Sequence, residues 1–312
     1  MTDLSHAIEK GDLARVKDLL SKISYGQESI NWSLVIAAKK GHLKVVEYLV
    51  EKGADVTDWD NLALITAALN GHLAVVEYLV NNGADVKARN NTALIDAAEN
   101  GHLEVVEYLV DNGADVTARD NQALIKAALK GYLKVVEYLV KKGAVVTAQD
   151  NEALIDAASN DHLEVVEYLV KKGAVVTAQD NSALIDAARN GHLAVVEYLM
   201  KKGANVTAQD NQALIDAALN NYLKVVNFLL EYGARDQNYK ALTELIGTEE
   251  EEEEEKENII KRLLEYYYPR EVIENLLLQT ENPKIISLLQ GYLNQKFLIN
   301  SQDQKLLGNN LS

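Results

Sequence analysis

The chain contains no cysteine. Disulfides, a thiol nucleophile and cysteine-ligated zinc or iron–sulfur centres are therefore excluded, and the composition suits a reducing compartment. Positive charge is also in short supply. Lys and Arg number 31 against 47 Asp and Glu, a formal net charge of −16. Such a surface repels nucleic acid and anionic membrane and favours basic partners. The longest apolar runs are only a few residues, far short of a bilayer span. The first residues, "MTDLSHAIEKGDLARVKDLL", lack the apolar core of a signal peptide, so a cytoplasmic location is expected. No glycine-rich phosphate loop, nucleophile elbow or HExxH pair is present.

Repetition fills the space these absences leave. Gly53, Gly83, Gly113, Gly143, Gly173, Gly203 and Gly233 stand thirty residues apart, and so do Leu43, Leu73, Leu103, Leu133, Leu163, Leu193 and Leu223. Seven units cover residues 31–240. A fixed period of this size implies stacked repeats, none of which can bury its apolar face alone.

Each unit reads as two short helices. The first runs through segments such as "EALIDAASN", with Asp150–Asn151 as a helix-start signal. It ends at Gly41, Gly71, Gly101, Gly131 and Gly191, where a left-handed residue is expected. Asp161 and Asn221 replace the glycine in the other two units, and both residue types tolerate that conformation. The second helix is "HLEVVEYLV", and "AVVTAQDN" reads as an extended turn to the next unit.

The segment "GHLEVVEYLVDNGADVTA" (101–118) resembles the second helix and outgoing turn of an ankyrin repeat, and "ALIDAA" sits where that family carries its T-P-L-H-x-A-A motif. The period here is 30 rather than the family's usual 33, with the deficit in the turn. Only Thr92 matches the motif's threonine, and no proline occurs in it. This short form resembles the arrays of giant viruses of amoebae, some intracellular bacteria and protists. From such a source, the host cytosol would be the expected location. The resemblance implies an all-α ankyrin solenoid with short turns in place of long β-hairpins. It also implies a non-enzymatic protein-binding scaffold that works through the first-helix groove and the turn tips, monomeric alone and without a cofactor.

The ends read as weaker units. Residues 1–30 form an N-terminal capping helix pair. Residues 241–312 form a helical region with degenerate pairs over "KALTELI", 257–268, "PREVIENLLLQ" and "NPKIISLLQGYL". Within it, 248–257 carries seven consecutive glutamates and reads as a solvated insertion. The residues from 300 onward read as a polar tail.

The histidines and tyrosines recur at fixed repeat positions. His42, His72, His102, His162 and His192 share one position, which Tyr132 and Tyr222 take elsewhere. Neighbouring units stack about 8–10 Å apart, too far for two rings to share an ion. A structural role is therefore preferred to a metal site. The tyrosine series Tyr48 to Tyr198 likewise reads as packing between repeats, not as a platform for nucleic-acid bases.

Variation confined to one strip of a regular array marks a candidate binding surface. The fourth position of the hexamer reads Ile36, Thr66, Asp96, Lys126, Asp156, Asp186, Asp216. The end of the first helix varies as well, through Leu69, Glu99, Leu129, Arg189 and Leu219. Trp59, Arg89 and Arg119 occupy the turn tips. Asp156, Asp186 and Asp216 are expected to face solvent as an acidic ladder that steers a basic partner, with Arg189 the one nearby cation. Two other readings stay open: an adaptor whose C-terminal helices recruit a second machine such as a ubiquitin ligase, and an acidic mimic of nucleic acid that occupies a basic protein.

Overall fold

In the computed structural model, residues 3–247, 253–266 and 268–298 are described, and among them there is no β-strand. The chain forms two compact units, Met1–Val175 and Val176–Ser312.

The first unit holds six helix pairs. They are α1 (Asp3–Glu9) with α2 (Leu13–Lys22), α3 (Gln27–Lys39) with α4 (Leu43–Glu51), and α5 (Asp58–Leu69) with α6 (Leu73–Asn81). Then come α7 (Ala88–Glu99) with α8 (Leu103–Asp111), α9 (Ala118–Leu129) with α10 (Leu133–Lys141), and α11 (Ala148–Ser159) with α12 (Leu163–Lys171). Each odd-numbered helix packs on the odd-numbered helices of its neighbours, and the even-numbered helices form a second layer. The odd layer is the more tightly packed, because its contact face is built on alanine. Leu34, Leu64, Leu94, Leu124 and Leu154 are 0% exposed, as are the paired alanines such as Ala97 and Ala98. Burying one such leucine contributes about 1.5–3 kcal/mol. The even layer closes the core with Val45, Val46, Leu49 and their equivalents.

The turns between pairs are not extended. Three consecutive residues enter the left-handed region: Trp59, Asp60 and Asn61 have φ of 47°, 54° and 64°, and the later turns repeat this at Arg89–Asn91, Arg119–Asn121 and Gln149–Asn151. A left-handed conformation costs about 1–2 kcal/mol per non-glycine residue, so something must hold the turn. The buried asparagine that ends it does so. Its Oδ1 accepts the backbone N–H of the next turn: Asp85 onto Asn61 at 2.7 Å, Asp115 onto Asn91 at 2.8 Å, Val145 onto Asn121 at 2.7 Å and Val175 onto Asn151 at 2.7 Å; Asn31, inside α3, accepts Asp55 N–H at 2.9 Å in the same way. The asparagine of the Asp–Asn pair therefore does not cap its own helix, as its local sequence suggests. It ties one turn to the next.

The loop inside each pair follows the sequence expectation. Gly41, Gly71, Gly101 and Gly131 have φ near 74–75°, and Asp161 adopts 61° in their place. A second constraint acts on these glycines. A Cβ on Gly71 would lie 2.5 Å from Nδ1 of His102, whose ring covers it.

The second unit opens with two further repeats, α13 (Ala178–Arg189) with α14 (Leu193–Lys201) and α15 (Ala208–Leu219) with α16 (Leu223–Glu231). The same asparagine bonds recur, from Asn205 N–H to Asn181 at 2.7 Å and from Arg235 N–H to Asn211 at 3.0 Å. Two more pairs follow. Helix α17 (Lys240–Gly247) packs on α15 and α18 (Glu253–Leu263) on α16; α19 (Arg270–Gln279) then packs on α17 and α20 (Pro283–Leu293) on α18. Asp236 starts this extension. It accepts the N–H groups of Ala241 and Leu242 at 2.7 and 2.9 Å and the hydroxyl of Tyr268 at 2.9 Å. Burial pushes its carboxyl up, against the pull of those donors.

One expectation changes here. The helix assigned to 257–268 begins earlier, at Glu253, so the last three glutamates of the acidic run are helical rather than loop. Residues 248–252 and the tail from 299 onward lie outside the described residues.

Candidate protein-binding face

The solvent side of the first helices is a stripe at helical spacing. Beyond the first turn of α3 the side chains outside the core are Trp32, Ile36, Lys39 and, at the C-cap, Lys40, an i, i+4, i+7, i+8 pattern. The equivalents are Leu62, Thr66, Leu69 and Asn70 in α5, then Thr92, Asp96, Glu99 and Asn100 in α7. In α9 they are Gln122, Lys126, Leu129 and Lys130, and in α11 Glu152, Asp156, Ser159 and Asn160. The first of these positions escaped the reading of the sequence. It is the most varied of all: Trp32, Leu62, Thr92, Gln122 and Glu152 differ in every repeat of the unit. Its distance of four residues from the hexamer's fourth position was the available signal.

Trp32 is 50% exposed and meets Trp59 edge-to-face, with ring centroids 5.5 Å apart. Trp59 is thus half-buried rather than a free tip. Its carbonyl accepts Nη2 of Arg89 at 2.6 Å, and Arg119 in turn donates to the Arg89 carbonyl and, at 2.8 Å, to Thr92 Oγ1. Gln149 continues the series onto the carbonyl of Asp120 at 3.2 Å. The two arginines therefore hold consecutive left-handed turns while remaining exposed. Leu69 is 38% exposed. Further along, Lys126 Nζ lies 3.8 Å from Glu99. Asp96 is half-buried, and desolvation, aided by Glu99 and opposed by Arg119, pushes its carboxyl above the usual range. Leu129 and Asp156 are half-buried on the same face.

In the second unit the stripe carries Asp186, Arg189, Asp216 and Leu219. The expected solvent-facing ladder is not what forms there. Asp216 is only 8% exposed. Arg189 donates to its Oδ2 from Nε at 2.9 Å and reaches Asp186 Oδ1 from Nη1 at 2.5 Å, while Gln212 donates to Asp216 Oδ1 at 2.6 Å. One guanidinium thus bridges the carboxylates of two repeats, because its planar fork serves several acceptors at once. Desolvation raises the Asp186 carboxyl despite this arginine. Asp186 and Asp216 act as one ion-paired cluster rather than as two free charges.

The histidines and tyrosines of the second helices are occupied. Nε2 of His42, His72, His102 and His162 lies 3.0–3.1 Å from the carbonyls of Glu9, Lys39, Leu69 and Leu129. A carbonyl only accepts, so each Nε2 carries the proton and donates to the preceding repeat. Tyr168 bonds the Glu137 carbonyl at 3.4 Å, and Lys172 lies 5.4 Å from its ring centroid. Both series join neighbouring repeats. Among the described residues no cluster of His, Cys, Asp and Glu could hold a metal ion, and no helix is long and apolar enough to cross a membrane.

The family model described as "Ankyrin repeats (3 copies)" matches residues 34–120, 119–180 and 178–241. Such repeats are protein–protein interaction modules. Among solved structures, the chain is similar to the human ASB11 ankyrin repeat domain at 25% identity and a TM-score of 0.58, over 64% of this chain and 96% of that one. Comparison with curated proteins gives no match.

Proposed function

Because this chain belongs to the ankyrin repeat family, we propose that it is a non-enzymatic scaffold that binds a partner protein along the first-helix stripe of its first unit, anchored at the tryptophan pair. The single observation behind this reading is Trp32. It is large, half-exposed and braced by Trp59 at the head of a stripe that varies while the core beneath it does not. Tryptophan is favoured as an interface anchor because one side chain offers a wide rigid surface at low entropy cost. Ile36, Leu62 and Leu69 extend the apolar ground beside it, and the charged pair Glu99–Lys126 borders it. A net charge of −16 favours a partner that is basic overall.

The test uses substitutions the array already tolerates. Gln122 and Gln149 stand where Trp32 and Trp59 stand in other repeats, so Trp32→Gln with Trp59→Gln preserves the fold. Proteins captured from the native cell by the wild type should be lost by this variant. They should be retained by Glu104→Lys with Glu164→Lys, which alters the second helices. Equal retention by both variants would exclude the stripe as the binding face.

A further inference from the structure

We propose a second docking edge on the first unit, at the ends of α10 and α12, that takes an extended acidic peptide carrying apolar side chains. The observation is a coordinated switch between the third and fourth 30-residue repeats. The residues that end the second helices run Glu51–Lys52, Asn81–Asn82 and Asp111–Asn112, then become Lys141–Lys142 and Lys171–Lys172. Four residues after the first of each pair, the turn position runs Asp55, Asp85, Asp115 and then Val145, Val175. Both changes fall at the same boundary: the first adds positive charge, and the second replaces a hydrogen-bonding side chain by an apolar one that a merely solvated edge would not hold.

Each change has a local cost. Asp115 Oδ1 accepts Thr117 N–H at 2.8 Å and its hydroxyl at 2.7 Å, and Asp55 does the same for Thr57. A valine supplies neither bond. The backbone is nevertheless unchanged, since Val145 N–H still reaches Asn121 at 2.7 Å. The freed position shows its apolar group to water: Val145 and Val175 are each 48% exposed. The lysines lose a pairing as well. Lys142 reaches back 2.7 Å to Asp111, the last acid of the series. One repeat later the residue 31 positions before Lys172 is Lys141 rather than an acid, and Lys172 Nζ lies over the Tyr168 ring, 5.4 Å from its centroid.

The chemistry of the occupant follows from the spacing. Successive repeats lie about 8–10 Å apart, and one turn of a polyproline II segment, three residues at about 3.1 Å each, covers the same span and returns every third side chain to the same side. An extended segment with acidic residues every third position can place its carboxylates on successive lysine pairs and its apolar side chains on the valines. Nucleic acid fits worse. It offers no side chains to the valines, and its long uniform charge meets a chain of net charge −16. A short peptide experiences mainly the local field, since screening at cellular salt acts over about 8 Å.

The probe is a 12-residue peptide of four Leu-Glu-Glu triplets bearing a fluorophore, titrated with the full chain by anisotropy. Binding is expected, weakening at least tenfold from 50 to 300 mM salt. Combined Lys141→Glu, Lys142→Glu, Lys171→Glu and Lys172→Glu should abolish it. Val145→Asn with Val175→Asn, the neutral residue that Asn205 places at this turn position and that restores the bonds to the threonine two residues on, should weaken it several-fold with the salt slope retained. A Ser-Glu-Glu peptide should bind the wild type as weakly as the Leu-Glu-Glu peptide binds that valine variant. Failure of the wild type to bind, binding that survives the lysine reversals, equal binding of the serine peptide, or tighter binding of a 12-nucleotide single strand would each overturn the proposal. Circular dichroism of the variants confirms that these surface changes leave the helices intact.

Discussion

Asn91 bears on the stability of the whole array through two separable contributions. Its backbone sits at φ 63°, and its Oδ1 accepts the N–H of Asp115 at 2.8 Å. Glycine at this position keeps the backbone freedom and removes the acceptor. Alanine removes the acceptor and adds a Cβ that the left-handed conformation disfavours. Leaving a buried N–H without a partner costs about 1–3 kcal/mol, and the left-handed penalty adds about 1–2 kcal/mol. Asn91→Gly should therefore destabilise by about 1–3 kcal/mol, and Asn91→Ala by about 2–5 kcal/mol. Asn91→Asp keeps an acceptor and a residue type tolerant of the left-handed region, so it should fall below both. Urea titrations followed by circular dichroism measure the three. Because repeat arrays can unfold in parts, unchanged m-values are needed before the midpoints are compared. Equal losses for Ala and Gly would refute the conformational contribution. A loss under about 0.5 kcal/mol for Gly, the range of an ordinary surface change, would refute the bond.

Three further outcomes are expected. Gly71→Ala should destabilise more than Gly83→Ala, since a Cβ on Gly71 meets His102 at 2.5 Å while nothing lies within 4 Å of one on Gly83, and both are at positive φ; adding His102→Ala to Gly71→Ala should recover part of the difference in thermal melts. Arg189→Ala strands Asp216, which is 8% exposed, and should cost about 1–3 kcal/mol for an uncompensated buried acceptor; a second change, Asp216→Asn, should restore most of it in denaturant titration. Asp96 has a carboxyl raised chiefly by desolvation, so its folded form holds a proton more tightly than the unfolded chain and its favourable contribution is lost as pH rises through the raised value. Asp96→Asn should then match or exceed the wild type at neutral pH, with the gap closing as pH falls through the carboxylate range; a gap that widens on acidification would refute the assignment.

Much of this architecture was legible because it repeats. The period, the helix pairs and the left-handed loop residues, including Asp161 and Asn221 at φ 61°, follow from local chemistry. So does the burial of Leu154, Ala157 and Ala158. The three-residue left-handed turn was not legible. Its asparagine has the local signature of a helix cap, and the bond it makes lies 24 residues away. Asp216 was misplaced for a related reason: its burial depends on Arg189, 27 residues earlier, and on Gln212. Half of the stripe is legible: variation at Ile36 and its equivalents marks the face, while Trp32 lies 27 residues from Trp59, and only the fold brings the two rings together.

The ladders of bonds between repeats have a consequence for how such a chain changes in length. The asparagine bonds span 24 residues, the turn side chains 29 or 30, the tyrosines 31 and the histidines 33. The asparagine bonds join the start of a unit to the turn at its end, and the longer spans end in the adjacent repeat. A duplication or loss of thirty residues therefore leaves donors and acceptors in matching register on both sides of the join. An insertion that is not a multiple of thirty residues puts the bonds that cross it out of register. The bonding pattern acts as a ruler on the coding sequence: it tolerates growth in whole units and penalises slippage, and it leaves the exposed stripe of each new unit free to diverge.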